Sequence, residues 1–435
     1  MSIQPSSTSS STSSSSLPDE TQRVLIVGGG PAGLSMACAL ADAGIRSCVL
    51  EAAPLNALQD PAEDGREIAL THPGRAVLER LGQWTLLPPE EVAPLRRAHV
   101  FDGDAPEHLG FGTADGRGEL GYLVANHWLR RIAYRAVEQR AERIELRTDC
   151  RVSGLNLMAT PELAEVQLST GERLRAPLVI AADSRFSALR RMAGIGAQMR
   201  DFGRSVIVCR LAHSAPNEGI ALECFHYGHT LALLPLKGGC SSLVLTVSAD
   251  RAAEMQAWDT EPFRAWVQAQ LQGRLGDIRL ASPRHLYPLV ACYAHRFATR
   301  RLALVGDAAV GMHPVTAHGY NFGLYGVHTL ASLLSKAHAQ GQDLGDSALL
   351  QRYANSHRRR TWTIYQGTNA VVNLFTDERP PARLLRRGVL QITRRLPPLQ
   401  AAISAQLTGR KPPIPGLPTV MNGLQALLRA RKQAG

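Results

Sequence analysis

This chain of 435 residues has no apolar run near the roughly 20 residues that a membrane-spanning helix needs, so an integral helical membrane protein is excluded. Its seven cysteines (38, 48, 150, 209, 224, 240 and 292) contain no Cys-x-x-Cys and no close pair. That argues against a disulfide oxidoreductase and for a reducing compartment, with the thiols serving as small buried core residues. No clustered metal ligands and no nucleophile elbow are present, which removes metal-centred and serine-hydrolase chemistry. Acids are missing from one long stretch. Between Arg379 and Gly435 stand eleven Lys or Arg and no Asp or Glu, an excess equal to the whole formal net charge of +11. The remaining body is near neutral. The first twenty residues are serine-rich and lack the apolar centre of a signal peptide, so residues 1–21 are expected to be a disordered tail.

Two glycine-rich loops carry the positive information. The run Val24-Leu25-Ile26-Val27 is apolar and β-branched, as a strand buried on both faces requires. Gly28-x-Gly30-x-x-Gly33 follows directly, with Ala32 inside it, and an Ala-rich helix continues to Ala43. Gly28 permits a tight turn, Gly30 lets the backbone approach a pyrophosphate, and Gly33 lets the helix pack on the strand. A second strand, from Arg46 to Leu50, ends in Glu51, where a carboxylate accepts from ribose hydroxyls. These features fix a dinucleotide site but leave NAD and FAD open. The second loop is GDAAVGMHPVTAHGYNFG, residues 306–323. Asp307 stands at the end of a buried strand, where it either accepts from a polyol hydroxyl or caps the next helix. Pro314, Gly319, Tyr320 and Asn321 lead into a small-residue helix start whose N–H groups suit an electron-rich ring.

From about Arg23 to about Asn373 the chain resembles the flavoprotein aromatic hydroxylases of the p-hydroxybenzoate hydroxylase type, and within them the ubiquinone-biosynthesis hydroxylases. Four segments carry the resemblance: residues 28–51, DGREIALTHPGRAVLERLGQW (64–84), LVIAADSRFSALRRMAGI (178–195) and the loop 306–323. It implies FAD as cofactor, NADPH or NADH as electron donor, and hydroxylation of an electron-rich ring by a flavin hydroperoxide formed from dioxygen. It also implies that Arg66 lies near the flavin, that Asp183 touches FAD, and that Pro314 shapes the ring site. Three positions depart from the family pattern. Ala317-His318 stands for Gly-Gln, Asp183-Ser184 for Asp-Gly, and Asn126-His127 for Asn-Arg. His318 either assists deprotonation of a phenol or only hydrogen-bonds the loop. No Trp-x-Trp pair occurs, unlike in the related flavin halogenases.

The expected class is α/β: a Rossmann-like FAD-binding domain with an inserted antiparallel-sheet substrate domain and a basic helical C-terminal tail. The FAD-binding parts are expected over 22–189 and 287–378, the substrate domain over 190–286, and the tail over 379–435. One helix is expected over 250–273 and another over 323–375. His226, Tyr227, His229 and Pro235 are candidates to face the ring. In the tail, LLRRGVLQITRRL (384–396) and LQALLRARK (424–432) set apolar positions against arginines, a pattern for an anionic membrane surface or for quinone-pathway enzymes. No aromatic interleaves these basic residues, so nucleic acid is not expected. The leading expectation is a prenylated-quinol hydroxylase acting on demethoxyubiquinol, cytoplasmic and peripheral to the inner membrane. A soluble aromatic hydroxylase of other metabolism and a low-turnover flavin-binding assembly subunit are the alternatives.

Overall fold

The computed structural model describes residues 23–103, 107–113, 118–226, 228–312 and 318–376, with side chains to 369. The serine-rich start, Tyr227, the loop residues 313–317 that include Pro314, and the basic stretch from 379 lie outside the described residues.

The nucleotide half is built on a six-stranded sheet. Val24–Val27 runs parallel between Ser47–Leu50 and Val179–Ala181, and Leu302–Leu304 pairs parallel with the latter. All four residues of Val24–Val27 are buried, which accounts for their continuous apolar run. Because Val24–Val27 and Leu302–Leu304 flank the same strand, the two glycine-rich loops leave the sheet at the same edge. Two small antiparallel sheets flank this core: Glu67–Leu70, Gly121–Ala125 and Val92–Leu95, and the three strands between residues 152 and 176.

The second body is a nine-stranded sheet whose centre is the 17-residue strand Ala197–His213. Helices Ala249–Ala257 and Thr260–Leu271 close a separate core containing Ile207, Leu243, Phe263, Val267 and Leu271. The sheet is larger than the interval 190–286. Arg97–Asp102 joins it by pairing parallel with Ile220–Phe225, and His285–Ala294 extends it at the other side. The first addition was not legible in sequence, because a parallel pairing across more than a hundred residues leaves no local periodicity; His285–Ala294 pairs antiparallel and carries the sheet past residue 286.

The helix expected over 250–273 is two helices, divided at Trp258-Asp259. Pro262 provides the reason. It has no N–H and is tolerated only in a first helical turn, so a new helix begins at Thr260. The helix expected over 323–375 is likewise two, Gly319–Ala339 and Ser347–Thr376. Gly341 takes φ +63°, a left-handed ending open to glycine. Asp343 in the connection accepts from both Arg301 Nη1 (3.0 Å) and Nη2 (2.7 Å), which fixes the reversal.

Candidate active site

At the first loop, Gly28 has φ +112°, and a Cβ there would lie 2.4 Å from the Ala182 carbonyl oxygen. A Cβ at Gly33 would lie 2.0 Å from the Gly28 carbonyl oxygen, so the helix Pro31–Asp42 sits closer to the turn than any side chain permits. Gly30 differs. A Cβ there meets nothing within 4 Å, so this backbone faces open space at the positive end of the helix. Glu51 Oε2 accepts from the Gly29 N–H and Oε1 from the Ala53 N–H, which holds the carboxylate beneath the loop.

The second loop closes on the first. Gly306 has φ +61°, and its Cβ would lie 3.0 Å from Ala32 Cβ. A Cβ at Gly323 would lie 3.4 Å from Gly306 Cα and 3.9 Å from Ala32 Cβ. The start of the first helix, the turn Gly306–Ala308 and the helix Gly319–Ala339 therefore share one junction made of small residues. Gly319, like Gly30, would place a Cβ in open space. This pair of uncovered backbone segments, on two loops in contact, is a cradle for an extended dinucleotide.

Asp307 Oδ2 accepts from Arg185 Nη2 at 2.9 Å, while Arg185 Nη1 donates to the Val290 carbonyl at 2.8 Å. Arg190 is buried and donates to the Ala308 carbonyl (2.9 Å) and the Arg185 carbonyl (3.0 Å). These two arginines fasten the 178–195 segment to the Asp307 turn. Sequence reading quoted the segment without singling them out; the available signal was a cluster of basic residues in an otherwise apolar run. Asp183 Oδ2 accepts from the Leu189 N–H, and its buried Oδ1 has no protein partner among the described residues. A buried acceptor left over at the cradle fits a hydroxyl or N–H of a bound cofactor.

Ser184, standing where the family has glycine, takes φ +151°. Only glycine adopts that region freely, so the Ser184→Gly variant should be more stable by on the order of 1 kcal/mol, roughly 2 °C in a thermal melt. An unchanged or lower melting temperature would mean that the Ser184 Oγ bond to the Phe186 N–H outweighs the strain.

Arg66 donates twice to Asp64 Oδ2, and its guanidinium lies 5.3 Å from the Tyr287 ring centroid. Tyr287 in turn donates to the Asp64 carbonyl at 2.8 Å, and Asn126 Nδ2 to Asp64 Oδ2 at 2.7 Å. Burial alone would raise the Asp64 pKa, but hydrogen bonds and charge from Arg66, with the Asn126 bond, bring it below the usual value. Arg66 is half exposed, so it keeps donors for a ligand while resting on the substrate sheet. Beside it lies a group sequence reading missed. Glu67, almost wholly buried, accepts from Arg210 at 2.9 and 3.1 Å across the seam between the two bodies, in a small cavity with His127, Ser282 and His285. Burial pushes the Glu67 carboxyl up to about 7 despite the Arg210 charge.

His318 is buried at the start of the helix Gly319–Ala339, its ring 5.6 Å from that of Phe322. The Asn321 side chain is committed elsewhere than expected. Its Oδ1 accepts from Thr71 N (2.9 Å) and Oγ1 (3.0 Å), and its Nδ2 donates to the Ala69 carbonyl (2.8 Å). It clamps the 64–84 segment to the second loop. Tyr320 packs on the main core, and burial raises its phenol pKa. The candidates His226 and His229 stack on each other at 4.7 Å, and His229 meets Gln270 and Trp266 of the helix Thr260–Leu271. His229 thus engages that helix rather than the cofactor loops. Cys38, Cys48 and Cys209 are buried, with thiols pushed up to about 12, so they are inert as nucleophiles. No cluster able to hold a metal occurs among the described residues.

Residues 21–368 match the model of the FAD binding domain family. The chain is 46% identical over 391 residues to the ubiquinone hydroxylase UbiM of Neisseria meningitidis, a match covering 89% of this chain and 84% of that protein. It is 28% identical to the 3-demethoxyubiquinol 3-hydroxylase of Escherichia coli, over 85% of this chain and 94% of that one. In fold it is similar to PqsL, a probable FAD-dependent monooxygenase from Pseudomonas aeruginosa, with a TM-score of 0.71 at 21% identity, covering 85% of this chain and all of that one. The cradle's glycines, its unused Asp183 oxygen and the contact between its loops fit the cofactor this family is named for. The chain belongs to the FAD binding domain family.

Proposed function

We propose that this protein is an FAD-dependent, NAD(P)H-consuming monooxygenase that hydroxylates the ring of a prenylated phenol or quinol in ubiquinone biosynthesis, with demethoxyubiquinol as its substrate. The observation that carries the reading is the junction of Ala32, Gly306 and Gly323, which makes one continuous site of two loops from opposite ends of the sequence. The names of the relatives supply the substrate class.

The bound FAD supplies electron transfer from the nicotinamide and activation of dioxygen. The chain's own residues then have defined tasks. The backbone N–H groups of Gly30, Ala32 and Gly33 would hold the pyrophosphate, with Glu51, fixed by the Gly29 and Ala53 N–H groups, as the acceptor for the ribose. Asp183 and Asp307 would accept from cofactor hydroxyls or N–H groups, and Arg185 orients the Asp307 carboxylate. Arg66 holds the approach side on the Asp64 and Tyr287 platform. His318, next to the open Gly319 backbone, is the base closest in sequence to the ring position, and it takes a phenolic proton as the ring becomes nucleophilic. Pro314, outside the described residues, would take the ring-site role that the family resemblance implies. The basic stretch 379–435 brings the enzyme to a membrane where a polyprenyl quinol resides.

The test is NAD(P)H oxidation by the flavin-loaded protein under labelled dioxygen with a short-tailed demethoxyubiquinol, followed by product mass. One labelled oxygen in the ring is expected. Label appearing only in peroxide would discard this substrate, and oxygen taken from water would discard the reaction class.

A further inference from the structure

The long helix Ser347–Thr376 contains four arginines and no Asp or Glu. Arg358 has a structural task, donating to the His295 carbonyl at 2.7 Å. The other three, Arg352, Arg359 and Arg360, line an open cleft of about 570 Å³ between this helix and Gly319–Ala339, together with Asn355, Ser356 and Tyr325. Among the described residues none of these three guanidinium groups has a carboxylate within ion-pair distance. Most other arginines that form ion pairs here do so at 3.6 Å or less. Arg360 stacks over the Tyr325 ring at 4.1 Å, which fixes its direction into the cleft. Burial would raise the Tyr325 phenol pKa, but hydrogen bonds with Ser356 and Thr329, and the Arg360 charge, hold it below its usual value.

We propose that this cleft is a phosphate site for the headgroups of an anionic lipid membrane. Three donor-rich cations with an amide and a hydroxyl in one concavity match the oxygen-rich, planar recognition that arginine provides for phosphate. Trp362 stands one helical turn beyond Arg359 and Arg358 and is among the exposed large hydrophobic residues, the placement of an interfacial anchor. The same helix leads toward the stretch 379–435, which carries eleven further cations. That excess of like charge argues against the chain's own C-terminal stretch as the occupant. Tyr325 is covered by Arg360 at 4.1 Å and stacks with His357 at 5.7 Å, which disfavours stacking of a base on it and so nucleic acid. Tyr325 lies six residues along the helix that starts at the cofactor loop, so docking brings the site to about 9 Å of helix from the headgroups. The inference rests on the membrane part of the proposed function and not on its chemistry.

The test uses the full-length, FAD-loaded protein and sedimentation with vesicles of phosphatidylcholine alone or mixed with phosphatidylglycerol. Wild type should bind the anionic vesicles preferentially. The R352Q/R359Q/R360Q variant should lose about tenfold or more in apparent affinity while NAD(P)H oxidation with a short-tailed quinol stays unchanged. The R352Q/R359Q double variant, which keeps the Arg360–Tyr325 stack, should lose a smaller part of it, so a folding defect of the triple variant cannot decide the matter. Vesicle binding equal to wild type in both variants would overturn the site and leave docking to the C-terminal stretch. Arg-dependent binding of inorganic phosphate or of a DNA duplex, without any gain from phosphatidylglycerol, would overturn the lipid assignment. The labelled-oxygen assay is independent of all these outcomes, so failure of the site and failure of the enzymatic reading are separable.

Discussion

Gly33→Val is expected to yield a protein that purifies without flavin and melts well below wild type. A Cβ at this position would lie 2.0 Å from the Gly28 carbonyl oxygen and 3.2 Å from Ala182 Cβ, against the roughly 3.4 Å that an ordinary contact requires. Both neighbours belong to the sheet edge, Gly28 following Val24–Val27 and Ala182 following Val179–Ala181. Relief therefore demands moving the helix Pro31–Asp42 off the sheet, at a cost of about 3 kcal/mol and with loss of the pyrophosphate site. Gly30→Ala separates the two effects. Gly30 has φ −72°, acceptable to alanine, and its Cβ would meet no protein atom within 4 Å. The apoprotein should melt like wild type, while FAD affinity falls about tenfold or more, because the methyl enters the space of the ligand. Flavin absorbance after gel filtration, with melts of the apo and loaded forms, reads both. Full FAD affinity in the Gly30 variant would show that the pyrophosphate does not lie where the open backbone faces.

Arg210→Leu should cost about 3 kcal/mol at mildly alkaline pH and far less in acid. Its partner Glu67 is almost wholly buried, and without the guanidinium its charge would have only the cavity around it. Glu67 titrates at about 7 in the fold against 4.5 when unperturbed, so the folded state holds a proton that the unfolded chain releases. Its stabilising contribution is complete below about 4.5 and is lost as pH rises through about 7. Removing Arg210 raises the folded value further and widens that window upward. Urea midpoints measured at about pH 5 and about pH 8.5 should therefore diverge in the Arg210 variant more than in wild type. In Glu67→Gln this part of the pH slope should vanish. Equal slopes in all three proteins would show that Glu67 stays ionised throughout and that its pair with Arg210 is an ordinary one. Because the pair joins Glu67–Leu70 to Ala197–His213, it also sets how the substrate sheet rests on the cofactor body.

Much of the cofactor site was readable from the chain, for a physical reason that is local. Gly28, Gly30 and Gly33 each satisfy a demand made by atoms within a few residues, or by the adjacent parallel strand, and such demands write themselves as glycine at fixed spacing. The same holds for Glu51 at the end of its strand. Helix interruptions were less legible. Pro262 and Gly341 were present as signals, but surrounding apolar spacing concealed them. The basic cluster holding Arg185 and Arg190 was visible, but their partners and the Glu67–Arg210 pair were not, since an arginine takes its role from the carbonyl or carboxylate that long-range packing brings to it. Asn321 shows the limit most clearly. It looked like part of the cofactor loop, and its side chain is spent on Thr71 and Ala69, 250 and 252 residues away in sequence.

By itself, then, the sequence determined the dinucleotide loop, the parallel α/β core behind it and the one-sided charge of the C-terminal stretch, because each follows from residue type and short spacing; the cysteines are buried as expected except Cys150 and Cys240, which are partly exposed. Only the tertiary structure decided that Gly306 and Gly323 close on Ala32, that a parallel strand from residues 97–102 enters the large sheet, and that three arginines face one cleft with no counter-ion among the described residues. Those are contacts between distant segments, selected by whole-chain packing, and no local pattern encodes which partner a side chain will meet.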